Sequence, residues 1–202
     1  MKPEEAMESR SAFDADDLRT AVETMRRGGV VVYPTDTVWG LGCDARSSEA
    51  VKRIYEIKRR ADSKAMISLV ADEAMLERWV ETVPDAALQL IEASGSDVPM
   101  TIVYDTPRGI APELLADDGS AAMRVTHERF SSALCRRMRG PVVSTSANIS
   151  GCPAPAFYAD IDPEILEAAD YVCMYRRDDS SPRRPSSVVM VSDSGVIKIL
   201  RP

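Results

Sequence analysis

The chain has 202 residues, of which 45% are hydrophobic and 28% charged, and its formal net charge is −7. That length and balance fit a globular protein with one sizeable α/β domain and exclude a disordered chain, and no apolar run approaches the roughly 18 residues of a membrane-spanning helix. The acidic total excludes a protein that coats nucleic acid nonspecifically. Four widely spaced cysteines (Cys43, Cys135, Cys152, Cys173) and a single histidine, His127, do not make a structural zinc site.

Residues 1–12 are polar and acidic, so they read as a flexible arm rather than a secretory signal, with residues 13–202 as a single domain. Without an export signal the protein is expected in the cytoplasm with its cysteines reduced. Asp14 can cap a helix to Arg27, with Leu18, Ala21, Val22 and Met25 at helical spacing and Gly28-Gly29 ending it. "VVVYP" (30–34) is a β-branched strand stopped by proline. A polar turn, "TDTVWGLGCDA", leads to a second helix over 48–59, and "AMISLVA" (65–71) reads as a strand buried on both faces.

Short helices are predicted over 72–80 and 84–94, a strand over 100–105, a loop-rich excursion over 107–120 and a strand over 121–125. A helix over 127–139 ends at Gly140-Pro141, and the strand "VVSTS" (142–146) runs into a hydroxyl-rich turn. After a helix near 163–169, the chain closes with three strands, "YVCMY", "SVVMV" and "VIKIL", the last two joined by the hairpin signal "SDSG". Early alternation of helices and strands with a β-rich tail predicts an α/β fold: a twisted mixed parallel and antiparallel sheet covered by helices.

Polar chemistry gathers at three strand ends, the usual place for a site in an open α/β sheet. The first is "YPTDTVWGLG" (33–42). The second is Lys58-Arg59-Arg60, within a basic island where Lys52, Arg53, Lys58, Arg59, Arg60 and Lys64 face only Glu56 and Asp62, a net of +4. The third is "STSANISG" (144–151). Each alone has a plainer reading, as a helix cap, a helix end complementing the dipole, or a capped turn. Together, on an acidic chain, they point to a pocket for a polyphosphate or carboxylate that concentrates field on one compact anion. No G-x-x-x-x-G-K-[ST], G-x-G-x-x-G or G-x-S-x-G motif is present, and one histidine leaves little room for a Ser-His-Asp triad. The pocket is therefore expected to work by positioning and electrostatics, without a nucleophile.

These residues resemble the YrdC-like threonylcarbamoyl-AMP synthases in their short, single-domain form. The resemblance rests on "YPTDTVWGLG", Lys58-Arg59-Arg60, "MRVT" (123–126), "STSANISG" and "RPSSVV" (184–189), and runs from about Asp14 to Arg201. It implies a YrdC-like sheet around a basic concave groove, with ATP as substrate and Mg2+ on its phosphates. The implied reaction converts L-threonine, bicarbonate or CO2, and ATP to threonylcarbamoyl-AMP and pyrophosphate. Partner transferase proteins would then modify the tRNA adenosine next to the anticodon, with tRNA met only indirectly or weakly and no membrane involved. The resemblance assigns Lys58 and Arg60 as the catalytic grip on the triphosphate, with Thr101, Ser146 and Asn148 also on ATP. It assigns Thr35, Arg124, Ser144 or Thr145, and Ser186 to threonine.

Trp39, Ala61, Ala65, Thr126 and Ser187 depart from the family pattern without removing a charge from these positions. Lys58 and Arg60 are expected to face solvent, so that losing either would leave the fold intact. Two other readings compete with this one. A noncatalytic RNA-binding or ribosome-maturation module fits poorly with the acidic charge and 5% aromatic content. A carbamoyl-transfer domain of hydrogenase-maturation type is expected in longer, cysteine-rich chains.

Overall fold

A computed structural model describes residues 13–60, 66–95, 97–181, 183 and 185–202. The expected arm over 1–12, and positions 61–65, which hold Asp62 and Lys64 of the basic island and the departures Ala61 and Ala65, lie outside the described residues.

Helix α1 (Ala15–Arg26) begins where the Asp14 carboxylate accepts from the Asp16 N–H at 2.8 Å, and buries Leu18, Ala21, Val22 and Met25. It ends at Gly28, whose φ of +82° suits a residue without Cβ. Then follow β1 (Val31–Tyr33), β2 (Gly40–Gly42), α2 (Ser48–Ile57), β3 (Ile67–Val70), α3 (Glu73–Trp79), α4 (Asp85–Glu92) and β4 (Met100–Tyr104). After a 3₁₀ turn at Pro112–Leu114 come β5 (Ala121–Val125), α5 (Arg129–Met138), β6 (Val142–Ser146), α6 (Pro163–Ala168), β7 (Tyr171–Val172), β8 (Ser187–Val191) and β9 (Ile197–Arg201). Glu128 caps α5 by accepting from the Ser131 N–H at 2.7 Å. His127 stays exposed beside Ser94 Oγ, at 3.1 Å.

The described strands form one mixed sheet in the order β7-β1-β2-β6-β3-β5-β4-β8-β9. The pairs β1–β7, β3–β5 and β4–β8 are parallel and the others antiparallel. This is the mixed α/β class expected. Two details differ from the sequence reading. Residues 40–42 were expected within a turn, but form β2, wedged antiparallel between β1 and β6. The two glycines permit it: a Cβ on Gly42 would lie 1.9 Å from the Val143 carbonyl oxygen.

The strand expected over 171–175 is cut to Tyr171–Val172. The buried Asp17 carboxylate takes the next amides out of the ladder, accepting from Met174 N–H at 3.0 Å and Tyr175 N–H at 2.9 Å, and from the Tyr171 hydroxyl at 2.7 Å. The β-rich tail is therefore divided: β7 closes one edge of the sheet, while the β8–β9 hairpin closes the other.

Side-chain alternation splits the core between the two faces. Val31 and Tyr33 enter one cluster with Leu18, Leu76, Ile91 and Phe130 from α1, α3, α4 and α5. Val30 and Val32 enter the other with Val51 and Ile54 of α2 and Ile165 of α6. Met123 and Val125 of β5 join the first cluster, whereas Ala122 and Arg124 point the opposite way and line a cavity. Helix α2 packs on β2 on that second face, and the cavity opens there too, lined by residues of β2, β6, β3, β5, β4, β8 and β9.

Candidate functional site

The cavity holds about 380 Å³ and is lined by Thr37, Val38 and Gly40 from the first polar stretch, Arg60 after α2, and Ser144, Thr145 and Ser146 of β6. Thr101 of β4, Ala122 and Arg124 of β5, Ser186 before β8 and Arg201 of β9 complete its polar wall. The volume suits a small molecule. Three arginines and no carboxylate line it among the described residues.

Arg60 arrives by way of a non-glycine turn. Arg59 N–H donates to Glu56 O and Arg60 N–H to Tyr55 O, the paired bonds of a Schellman motif, with Arg59 at φ 50°. This reversal turns Arg60 onto β6, where its Nη1 donates to Thr145 Oγ1 at 3.3 Å. Burial pulls its pKa below the usual guanidinium value.

Three other basic residues of the island pair elsewhere. Lys52 pairs with Glu113, Arg53 with Asp170 and Arg59 with Glu164. Among the described residues of the island Arg60 lines the cavity, joined by Arg124 and by Arg201 from the far end of the chain. Nothing in the sequence signalled Arg201. It ends an apolar strand, and its place depends on β8–β9 pairing, which sets Arg201 opposite Val188 and lets its guanidinium donate to Ser186 O at 2.7 and 3.1 Å.

Lys58 is not solvent-facing, contrary to expectation: it is 2% exposed. Its Nζ donates to Ser146 O at 2.5 Å and Asn148 O at 2.6 Å. Burial first, and then the Arg60 charge, lower its pKa to about 8. Asn148 lines a separate surface groove and donates its amide to Ile149 O and Cys152 O. Lys58 and Asn148 together shape the turn that follows Ser146, behind the cavity wall.

Thr35, 1% exposed, also lies behind that wall. Its hydroxyl donates to Val38 O at 2.8 Å and stands 3.0 Å from Thr37 Oγ1, so Thr37 is the donor between the two threonines. Thr37 Oγ1 then accepts from Arg124 Nη2 at 3.3 Å. Thr37 therefore faces the cavity where Thr35 was expected, and a "T-x-T" pair offers no hint from sequence of which hydroxyl turns outward. Arg176 Nη1 fastens the same stretch from outside by donating to Thr35 O at 3.0 Å.

On the opposite wall Thr101 Oγ1 and Ser186 Oγ share a hydrogen bond of 2.8 Å, joining residues 85 positions apart. Of the residues singled out in the sequence, the cavity gathers Arg60, Thr101, Arg124, Ser144, Thr145, Ser146 and Ser186, and leaves Lys58, Asn148 and Thr35 outside its lining. Guanidinium groups beside clustered hydroxyls can bind phosphate and carboxylate oxygens together. Among the described residues, no three His, Cys, Asp or Glu side chains are placed to hold a metal ion, and no helix is long and apolar enough to cross a membrane.

The Sua5/YciO/YrdC family model, described as telomere recombination, matches residues 23–202. A threonylcarbamoyl-AMP synthase from Stenotrophomonas maltophilia is 39% identical over 155 residues, which is 76% of this chain and 83% of that protein. Among solved structures, a doubly substituted Sua5 from P. abyssi superposes with a TM-score of 0.84 at 26% identity, covering 96% of this chain. P. abyssi Sua5 complexed with L-threonine gives 0.76 at 27% identity over 86% of this chain. The chain spans only 58% and 50% of those two structures.

Proposed function

The chain belongs to the Sua5/YciO/YrdC family, and from that premise we propose that it is an L-threonylcarbamoyladenylate synthase, a nucleotidyltransferase using ATP, L-threonine and bicarbonate or CO2. The observation that carries this reading is the cavity itself, where three guanidinium groups and a band of hydroxyls converge, with no carboxylate among the described lining residues. The chemistry asks for little more. The threonine amine adds to CO2 and loses a proton, giving a carbamate. A carbamate oxygen then attacks the α-phosphorus of ATP, the bond to the β-phosphate oxygen breaks, and pyrophosphate leaves. The protein must hold the anions in line, stabilise the charge developing on the leaving group and keep water from the adenylate.

In this reading Arg60, Ser146, Thr101 and Arg201 take the nucleotide. Arg124, Thr37, Ser144 or Thr145, and Ser186 take threonine. Lys58 and Asn148 support the phosphate side by fixing the turn after Ser146, and Thr35 supports the threonine side by fixing Thr37. Among the described residues the lining offers neutral hydroxyls and no carboxylate, so Mg2+ would enter on the ATP phosphates rather than rest in a protein cage. The product would pass in the cytosol to transferase partner proteins that modify the tRNA adenosine beside the anticodon, with tRNA itself bound weakly if at all.

The test is pyrophosphate release from protein incubated with ATP, bicarbonate and Mg2+. Release that requires L-threonine, with threonylcarbamoyl-AMP detected by mass, supports the reading. Release independent of threonine would overturn it.

A further inference from the structure

Asp36 stands between Thr35 and Thr37 yet is absent from the cavity lining. Its carboxylate is 0% exposed, neither oxygen has a hydrogen-bond partner, and Oδ1 lies 2.9 Å from Nη2 of Arg124, itself only 3% exposed. A buried charge this isolated persists only with its counter-ion, so Asp36 and Arg124 are held as a pair. The pair is asymmetric. Asp36 is sealed beneath the wall, whereas Arg124 lines the cavity.

Nη2 of Arg124 is restrained from two sides, by Asp36 and by Thr37 Oγ1 at 3.3 Å. The Thr37 hydroxyl has no freedom to turn away, since its proton goes to Thr35 Oγ1, whose own proton goes to Val38 O. Nε of Arg124, by contrast, has no acceptor. Two acceptors on Nη2 fix the plane of the guanidinium at the cavity wall, so a substrate carboxylate there would meet it in one orientation.

Resting on the synthase reading, we propose that Asp36 is a positioning residue for the amino-acid substrate: it fixes the Arg124 guanidinium for the substrate carboxylate and cancels its net charge. The second effect matters as much as the first. Of the three arginines lining the cavity, Arg124 has a buried carboxylate within contact, so its own contribution to the field for a triphosphate is offset. A neutralised guanidinium attracts a highly charged polyphosphate weakly but still donates hydrogen bonds to a carboxylate. Two anions can then enter one cavity without exchanging places.

The experiment measures KM for L-threonine and for ATP in Asp36→Asn and Asp36→Glu, using threonine-dependent pyrophosphate release, with L-threoninamide as a competitor lacking the carboxylate. Asp36→Asn is expected to raise the threonine KM at least tenfold, about 1.4 kcal/mol of binding. The ATP KM should stay within twofold, and preference for threonine over threoninamide should fall by the same factor. Asp36→Glu keeps the charge and moves it by one methylene, so a smaller rise of about threefold is expected with the same split between substrates. Where Asp36→Asn does not fold, Asp36→Glu carries the test alone. An unchanged threonine KM in the folded variant, or threonine and ATP KM values rising together, would overturn the proposal. Failure of the synthase reading is distinguishable, because the unsubstituted protein would then release no threonine-dependent pyrophosphate.

Discussion

Replacing Lys58 with methionine keeps the aliphatic stem and removes the ammonium that spans Ser146 O and Asn148 O at 2.5 and 2.6 Å. Two hydrogen bonds from a charged donor contribute about 3–6 kcal/mol together. Against them stands the cost of burying the charge. A pKa lowered from 10.5 to about 8 corresponds to roughly 3 kcal/mol when the ammonium is protonated. The difference predicts that Lys58→Met loses about 1.5 kcal/mol at pH 7, a displacement of roughly 0.5 M in the urea midpoint for a chain of this size.

The pH dependence gives the sign independently. Below pH 8 native and unfolded chains both hold the Lys58 proton, and the burial penalty is fully present. Between about 8 and 10.5 the unfolded chain binds more protons, so stability rises with pH through this window. The unsubstituted protein should therefore gain on Lys58→Met by up to about 3 kcal/mol across the window, other titrations cancelling in the comparison. Urea unfolding followed by circular dichroism at unit steps from pH 7 to 10 measures this. A gap that stays flat with pH, or a variant as stable as the parent throughout, would show that Nζ faces solvent and that the turn after Ser146 is held by something else.

Arg60→Ala should raise the ATP KM at least tenfold while changing folding stability by less than about 1 kcal/mol, because Arg60 is only partly buried; parallel kinetics and urea titrations check both halves. Asp17→Asn exchanges a carboxylate acceptor for an amide facing three donors, and should cost about 2 kcal/mol. Hydrogen exchange should show the Met174 and Tyr175 amides losing protection first. Gly42→Ala places a methyl group 1.9 Å from the Val143 carbonyl oxygen, so about 3 kcal/mol or more of stability should be lost. Thermal unfolding reads this loss directly, and a melting temperature equal to the parent's would mean that β2 does not approach β6 so closely.

Local pattern determined much of this protein. β-branched runs set β1, β6 and β8, helical spacing set α1, and short hydroxyl side chains beside glycines marked "YPTDTVWGLG" and "STSANISG" as places where backbone and ligand meet. These signals are local because propensity and periodicity act over a few residues. What the sequence left open depended on residues far apart. That Asp17 would end β7 after Val172 required α1 to pack beside it. That Lys58 would turn inward required the carbonyls of Ser146 and Asn148, some 90 residues on.

The three basic residues of Lys58-Arg59-Arg60 look alike in sequence. Only tertiary contacts gave one to a buried turn, one to Glu164 and one to the cavity. Arg201 entered the site through strand pairing, and Asp36 gained its counter-ion through the meeting of the 34–39 loop with β5. A charge reveals its type in the sequence, but its partner, its burial and the direction it points are properties of the packed sheet, where desolvation makes every unpaired alternative costly.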